Sequence, residues 1–216
     1  RDTSTVARLT MRIKDAFFRE CGDMFQLHNY PHLKPPALFS KKHGIADVSL
    51  KSGMLKFSPD PLHTSLTQLV DPMARRLVTK TFRSVMTFMG DRSSGQPLAA
   101  ARELVSECLR APALRDEVLV QVCKQATDNP SGSSLPRAYV LLELLLSFFP
   151  PSEDFENYLE YFLRERGAVH CVKALHGSVF TGAAEEPPSL EDISAFVDHA
   201  LARDSQTTAD AGVDMG

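Results

Sequence analysis

The sequence predicts an all-α fold, a compact multi-helix bundle forming one domain. Apolar residues recur at three-and-four spacing along most of the chain, whereas the strict alternation typical of a half-buried strand is rare. Proline, glycine and small polar clusters interrupt this pattern and divide it into segments of helix length. With 216 residues, of which 43% are apolar and 24% charged, the chain is long enough to bury a large core without disulfides or metals.

Residues 1–60 predict one helix followed by a loop-rich extension. The helix is expected from about Ser4 to Cys21, with Ile13 and Phe17 on its apolar face and Gly22 placed to end it. From about residue 28, prolines, glycines and lysines break the periodicity, so loops and short turns are expected. Apolar anchors should fix this extension to the core: Leu38, Phe39, Ile45, Leu55 and Phe57.

Residues 61–203 predict the helical core, and terminal signals set its boundaries. Asp71 and Pro72 supply an N-cap and a first-turn proline, and Gly90 ends the helix that they begin. Ser152 is expected to cap a later helix, and Ser189 and Asp192 to form a capping box. The predicted helices are 72–89, 98–110, 113–129, 138–149, 153–164, 168–180 and 190–202. Residues 204–216 are expected to form a disordered tail or a linker toward a following domain.

The charge balance indicates an acidic partner for the front of the molecule. Residues 1–60 carry ten Lys/Arg against six Asp/Glu, residues 61–130 nine against seven, and residues 131–216 five against fourteen, which gives +4, +2 and −9 and sums to −3. The balance is too acidic for a nucleic-acid binder, and no apolar run is long enough to insert in a membrane. Four widely spaced cysteines favour reduced thiols and a cytoplasmic location.

No pattern in the sequence assembles a catalytic, cofactor or metal site. His28 and His32 have the spacing of helix-borne metal ligands, but Pro31 between them disfavours that helix. His170 and Cys171 are adjacent and would point apart on a helix, so a buried structural cysteine is the preferred interpretation. We therefore expect a protein without enzymatic activity, cofactor or metal.

One surface feature is a candidate binding site. Arg76, Lys80 and Arg83 stand at i, i+4 and i+7 on the helix after Asp71, with Arg75 beside them. This row is either a solvated helix face or a docking patch for an acidic polymer, to which Lys41 and Lys42 from the preceding loop would add charge.

The segment ALRDEVLVQVCKQATDNP (113–130) places Arg115, Asp116 and Glu117 at the start of a helix that is otherwise mostly apolar. The two carboxylates are favoured there by the helix dipole, and Cys123 is expected to be a small core residue. Buried charges need partners, so we expect Arg115 to pair with Glu143, and Asp91 to pair with a neighbouring basic group.

Several motifs in order and spacing resemble the myosin-tail homology 4 (MyTH4) domain over about residues 15–200. They are PDPLHTSL (59–66), FMGD (88–91), ALRDEVLVQVCKQATDNP (113–130), RAYVLLELLLSFFPPS (137–152) and PPSLEDI (187–193). The signature residues carried over are Asp91, Arg115, Asp116, Glu117, Gln125, Asn129, Pro130 and Glu143. The FSKK stretch (39–42), MLKFSPDPLHTSL (54–66) and VKALHGSVFTG (172–182) are most similar to the form found in plant and algal kinesin-like calmodulin-binding proteins.

The resemblance implies a non-catalytic, cytoskeleton-associated domain of a motor tail. Members of this family usually precede a FERM domain, and several bind microtubules through a basic surface. The expected partners are therefore microtubules, a cargo protein and a FERM domain in the same chain. Two alternatives stay open: a structural spacer that supports cargo binding by the FERM domain of an unconventional myosin, or a regulatory domain beside a RhoGAP domain.

Overall fold

The structure, a computed structural model, describes the backbone of residues 13–43, 51–93 and 95–211, and the side chains of these residues except 40–43, 51, 52 and 204–211. It confirms the all-α prediction. The described part of the first helix, α1, covers 13–21. The others are α2 (Pro36–His43), α3 (Lys51–Met54), α4 (Pro72–Met89), α5 (Pro97–Arg110), α6 (Arg115–Ala126), α7 (Ser134–Phe148), α8 (Glu153–Glu165), α9 (Val169–Thr181) and α10 (Leu190–Ala211).

Helix α7 forms the centre of the bundle because its sequence is apolar on nearly every side. It packs against α4, α5, α6, α9 and α10, and Leu141, Leu142 and Leu145 are fully buried. Helix α6 is enclosed in the same way, from Glu117 to Ala126. Both helices are buried over most of their length, so the polar side chains on their buried parts must find hydrogen-bond partners inside the protein.

The N-terminal helix packs on α8 along a different face from the predicted one. Phe18 is buried, and the centre of its ring lies 5.6 Å from that of Tyr161 on α8. Ile13 and Phe17, which belong to the predicted face, are exposed. Gly22 follows the helix as predicted, and it has a second role: a Cβ at this position would overlap the Tyr161 ring.

The loop-rich extension reaches the core through backbone pairing. Leu33 and Thr67 form an isolated antiparallel bridge, and Lys34 N–H donates to the Leu66 carbonyl at 2.7 Å. Of the predicted anchors, Phe39 and Leu55 are buried, but Leu38 is exposed; Ile45 lies outside the described residues.

Most predicted helix termini are confirmed. The Asp71 carboxylate accepts from Met73 N–H at 2.9 Å, and Gly90 ends α4 with φ 86°. Ser189 and Asp192 form the predicted capping box, with the Ser189 hydroxyl donating to the Asp192 carboxylate at 2.7 Å and accepting from Asp192 N–H at 3.1 Å. Ser152 stands at the N-cap of α8 but makes no side-chain cap bond, so its predicted role was wrong.

The last helix runs to Ala211, further than the predicted end near Ala202. No proline or glycine occurs between these residues, and the side chain of Arg203 pairs with Glu143 of α7 at 2.7 Å, which holds the helix on the bundle past the predicted end. The helix thus extends into the segment predicted as a disordered tail or linker, which stays a prediction, and residues 212–216 lie outside the described residues. None of the helices in the described ranges is long and apolar enough to cross a membrane.

Candidate functional site

Helix α4 carries Arg75, Arg76 and Arg83 of the predicted basic row on its solvent side, and we call these three residues the arginine face. Its buried side is apolar, with Val78, Phe82 and Val85 against the core, so the opposite side faces solvent. Arg75, Arg76 and Arg83 are all exposed there. Arg75 donates a hydrogen bond to the Leu69 carbonyl, and none of these three arginines forms an ion pair within the described residues.

Lys80 differs from its neighbours because its charge is neutralised at the surface by two carboxylates of the same chain. Its ammonium group lies 2.9 Å from Glu103 and 3.1 Å from Glu107, both on α5. Hydrogen bonds to these carboxylates raise the pKa of Lys80. Burial raises the pKa of Glu107, but Lys80 and Arg110 outweigh it, so the pKa of this carboxyl is lowered. Lys80 thus joins α4 to α5, and the sequence could not show this because pairing depends on how α5 packs.

A groove of about 680 Å³ runs between α4 and α5. Arg76 and Arg83 line it from α4, and Arg92 lines it from the loop that connects the two helices. Sequence reasoning missed Arg92, because nothing in GDRSSGQP indicates that this loop folds back along α4. Glu103 is the carboxylate that lines the groove, where it accepts from the Ser84 hydroxyl at 2.7 Å.

Lys41 and Lys42 belong to α2, but their side chains lie outside the described residues. Their contribution to the arginine face therefore stays a prediction.

Asp116 connects three segments of the fold. Its carboxylate accepts from the Tyr30 hydroxyl at 2.9 Å, from Ser152 N–H at 2.8 Å and from the Ser152 hydroxyl at 2.6 Å. Burial and the nearby Asp116 carboxylate raise the pKa of Tyr30 well above its ordinary value. The side chain thus fixes both the extension and the start of α8, and this explains why the Ser152 hydroxyl is not free to cap its own helix.

Glu117 is fully buried and has no cationic partner among the described residues. It accepts from Leu66 N–H at 3.0 Å, from Thr67 N–H at 2.8 Å and from the Thr67 hydroxyl at 2.6 Å. The Gln121 amide adds a fourth hydrogen bond at 3.0 Å. Burial raises the pKa of Glu117, and these donors oppose the rise. The carboxylate thus satisfies two backbone N–H groups of the loop before α4, those of Leu66 and Thr67.

The remaining signature residues order the loops on either side of α6. The Gln125 amide exchanges hydrogen bonds with the backbone of Ser58, both at 3.1 Å, and reaches Asp91 at 3.4 Å. Asn129 donates to the Gln125 carbonyl and to the Ser134 hydroxyl. Pro130 follows it on the surface. The partner of Asp91 is thus an amide, where a basic group was predicted.

The predicted pair between Arg115 and Glu143 does not form. Arg115 donates to the Cys108 carbonyl at 3.1 Å and lies over the Phe149 ring, and burial lowers its pKa. Glu143 instead binds Arg203 of α10 through both oxygens, at 3.1 and 2.7 Å. The two side chains leave the core in different directions: Arg115 lies at the junction of α5 and α6, and Glu143 faces α10.

The histidines and cysteines discussed above as possible catalytic or metal-binding residues do not come together in one site within the described residues. Cys123 is fully buried and its pKa is raised to about 12 by burial, as expected for a core thiol. Cys171 is also buried and donates to the Tyr139 carbonyl at 3.3 Å. Within the part of the chain that the structure describes, no three His, Cys, Asp or Glu side chains are placed to share a metal ion.

Comparisons with known proteins agree with the fold and with the motifs. Residues 101–195 match the profile of the MyTH4 domain. The chain is 38% identical over 195 residues to the high molecular weight form of myosin-1 from Acanthamoeba castellanii, and 31% identical over 182 residues to the kinesin-like protein KIN-14E from Arabidopsis thaliana. These alignments cover 90% and 74% of this chain, but only 12% and 14% of the two relatives.

A solved structure of the human Myosin 7b C-terminal MyTH4-FERM domain, in complex with the harmonin-a PDZ3 domain, superposes with a TM-score of 0.63 and 25% identity. The match covers 77% of this chain and 34% of that one. The chain therefore spans a small part of the relatives and about a third of this structural neighbour.

Proposed function

Because the chain belongs to the MyTH4 domain family, we propose that it is a non-catalytic docking domain of a cytoskeletal motor and that it binds microtubules through the arginine face of α4. The relatives include both a myosin and a kinesin-like protein, and the kinesin-like motifs of this sequence favour the microtubule as the filament.

The observation that carries the proposal is the set of guanidinium groups on α4 that form no ion pair within the described residues. Arg75, Arg76 and Arg83 are exposed, and no carboxylate of the described residues neutralises them. Microtubule surfaces are acidic, and charge attraction of this kind acts over a Debye length of about 8 Å at physiological ionic strength. Each exposed ion pair contributes about 0–1 kcal/mol, so several arginines must act together.

Co-sedimentation with microtubules tests the proposal. The double variant Arg75→Glu/Arg76→Glu should lose pelleting at low salt, and the wild type should lose it as salt rises. Lys80 is left unchanged, because a carboxylate beside Glu103 and Glu107 would destabilise the fold and confuse the result.

The matched control is Arg19→Glu/Lys173→Glu, which changes the net charge equally at two exposed positions on α1 and α9. It should pellet like the wild type, and both variants should keep the helical circular dichroism signal. Equal pelleting by both double variants would rule out the α4 face, and pelleting with actin filaments in place of microtubules would reassign the filament.

A second candidate function is mechanical support of a following FERM domain that binds cargo. Val179 and Phe180 are exposed at the end of α9, Phe180 by 76% of its surface, which is typical of a surface that another domain covers. The human neighbour has its MyTH4 domain joined to a FERM domain. If this function is correct, cargo binding needs the longer parent chain, and Phe180→Ser weakens it without changing microtubule pelleting.

A further inference from the structure

The groove between α4 and α5 has the properties of an anion-binding site. We propose that it binds the phosphate group of a phosphorylated serine or threonine side chain in a partner protein. This inference is independent of filament binding, although Arg76 and Arg83 belong to both surfaces. Its distinguishing residue is Arg92, which lies in the groove but not on the face of α4.

The groove carries an excess of positive charge. Arg76, Arg83 and Arg92 line it, and none of them forms an ion pair within the described residues. The one lining lysine, Lys80, is already neutralised by Glu103 and Glu107. Glu103 is held to one side by Lys80 and by the Ser84 hydroxyl, so three guanidinium groups are left to attract an anion.

The N-terminus of α5 lies beside the same groove. Gln96, the N-cap of α5, makes no side-chain cap bond, and the first turn of α5 contains no acidic residue. Gln96 and Ala99 both line the groove. The first N–H groups of this helix therefore lack a carboxylate that would satisfy them, and the positive end of the helix dipole adds to the field of the arginines.

The connecting loop is held closely against α4, which keeps Arg92 on the groove wall. Gly95 has φ 111°, and a Cβ there would approach the Thr87 methyl group to 2.9 Å. Only glycine combines this backbone conformation with so close an approach. The contact of Gly95 with α4 thus fixes the part of the groove wall that the connecting loop forms.

The number and type of donors favour a phosphate over a carboxylate. A carboxylate has two oxygens and is satisfied by one bidentate arginine, whereas a phosphate monoester is a dianion near neutral pH and offers three acceptor oxygens. Arginine clusters are the common means of recognising phosphorylated peptides. The groove, of about 680 Å³, is open to solvent and is therefore accessible to a phosphorylated side chain of a partner protein.

Amide chemical shifts of the whole chain provide the test. The probes are three short glycine-flanked peptides that carry phosphoserine, glutamate or serine, together with inorganic phosphate and phosphatidylcholine vesicles containing a phosphatidylinositol bisphosphate. The phosphoserine peptide should shift the amides of Gly95, Gln96 and Ala99 and bind at least about tenfold more tightly than the other two peptides. Inorganic phosphate should shift the same amides more weakly.

Arg92→Gln should weaken binding of the phosphoserine peptide by about tenfold or more, whereas Arg75→Gln, outside the groove, should leave it unchanged. Arg92→Gln should also retain microtubule pelleting, which separates this site from the α4 face. Equal affinity for the phosphoserine and glutamate peptides, an unchanged affinity in Arg92→Gln, or binding only to the vesicles would overturn the proposal.

Discussion

The buried carboxylate of Glu117 accepts two hydrogen bonds from a single residue, Thr67, through its N–H group at 2.8 Å and its hydroxyl at 2.6 Å. Fifty residues separate the two in the chain. The contact attaches the loop before α4 to the start of α6. It therefore helps to orient α4, and with it the arginine face, relative to the core.

Glu117→Gln should destabilise the fold by about 3 kcal/mol, because a side-chain NH₂ group would then face backbone N–H donors in a fully buried site. Urea unfolding followed by circular dichroism measures the change. Glu191→Gln, an exposed position in the first turn of α10, is the control and should cost less than about 1 kcal/mol. Similar losses in the two variants would show that the Glu117 network contributes little.

Lys124 should make stability rise with pH above about 8. Burial lowers the pKa of Lys124 to about 8 from an ordinary 10.5, and among the described residues its ammonium group donates to two carbonyls, those of Met54 and Lys56. Between these two pH values the unfolded chain holds a proton that the folded chain has released, so stability grows with pH, by up to about 3 kcal/mol.

Lys124→Met isolates this contribution, since methionine has a similar length and no charge. Unfolding free energies of the wild type and the variant, measured from pH 7 to 10.5, should diverge in favour of the wild type as pH rises. Parallel curves would mean that Lys124 titrates normally in the folded protein.

Glu160 should protect the fold against acid. Burial raises the pKa of this carboxyl, but His176, Arg164 and Lys14 outweigh burial and hold the pKa at about 2. A depressed carboxyl pKa stabilises the fold above the ordinary value of 4.5, by about 3 kcal/mol, and this contribution is lost as pH falls from 4.5 towards 2.

Glu160→Gln should therefore lose stability at pH 7 and approach the wild type at pH 2. It should also speed amide exchange in α1, because Lys14 contacts Glu160 at 3.3 Å. Glu153→Gln, exposed in the first turn of the same helix, should show neither effect. A constant difference between wild type and Glu160→Gln at all pH values would contradict the prediction.

Gly22→Ala should release α1 from α8, because the added methyl group would overlap the Tyr161 ring. Limited proteolysis and hydrogen exchange of residues 13–21 report the release. Gly177→Ala is a matched control: it lies within α9 with no atom near its Cβ position, so alanine should stabilise it by up to about 1 kcal/mol. Equal protease resistance of the two variants would exclude the steric role of Gly22.

Local signals in the sequence predicted much of the fold. The caps at Asp71, Gly90 and Ser189 depend on residues within four positions of one another, and the helices that they bound follow from apolar periodicity. The exposure of Arg75, Arg76 and Arg83 follows from the same periodicity, because the opposite side of α4 is apolar. The need of Asp116 for partners inside the protein was indicated by the cost of buried charge, whereas Gln125 was indicated only as a residue of the family signature.

The identities of those partners were decided by the tertiary structure. Arg115 bonds to a carbonyl and Glu143 to Arg203, because side-chain direction depends on how the helices pack and not on sequence spacing. The same holds for Lys80, whose charge is cancelled by α5, and for Arg92, which the folded loop brings into the groove. The sequence alone determined an all-α protein with a basic helix face; the packing of α4 against α5 decided which of its charges are available to a partner.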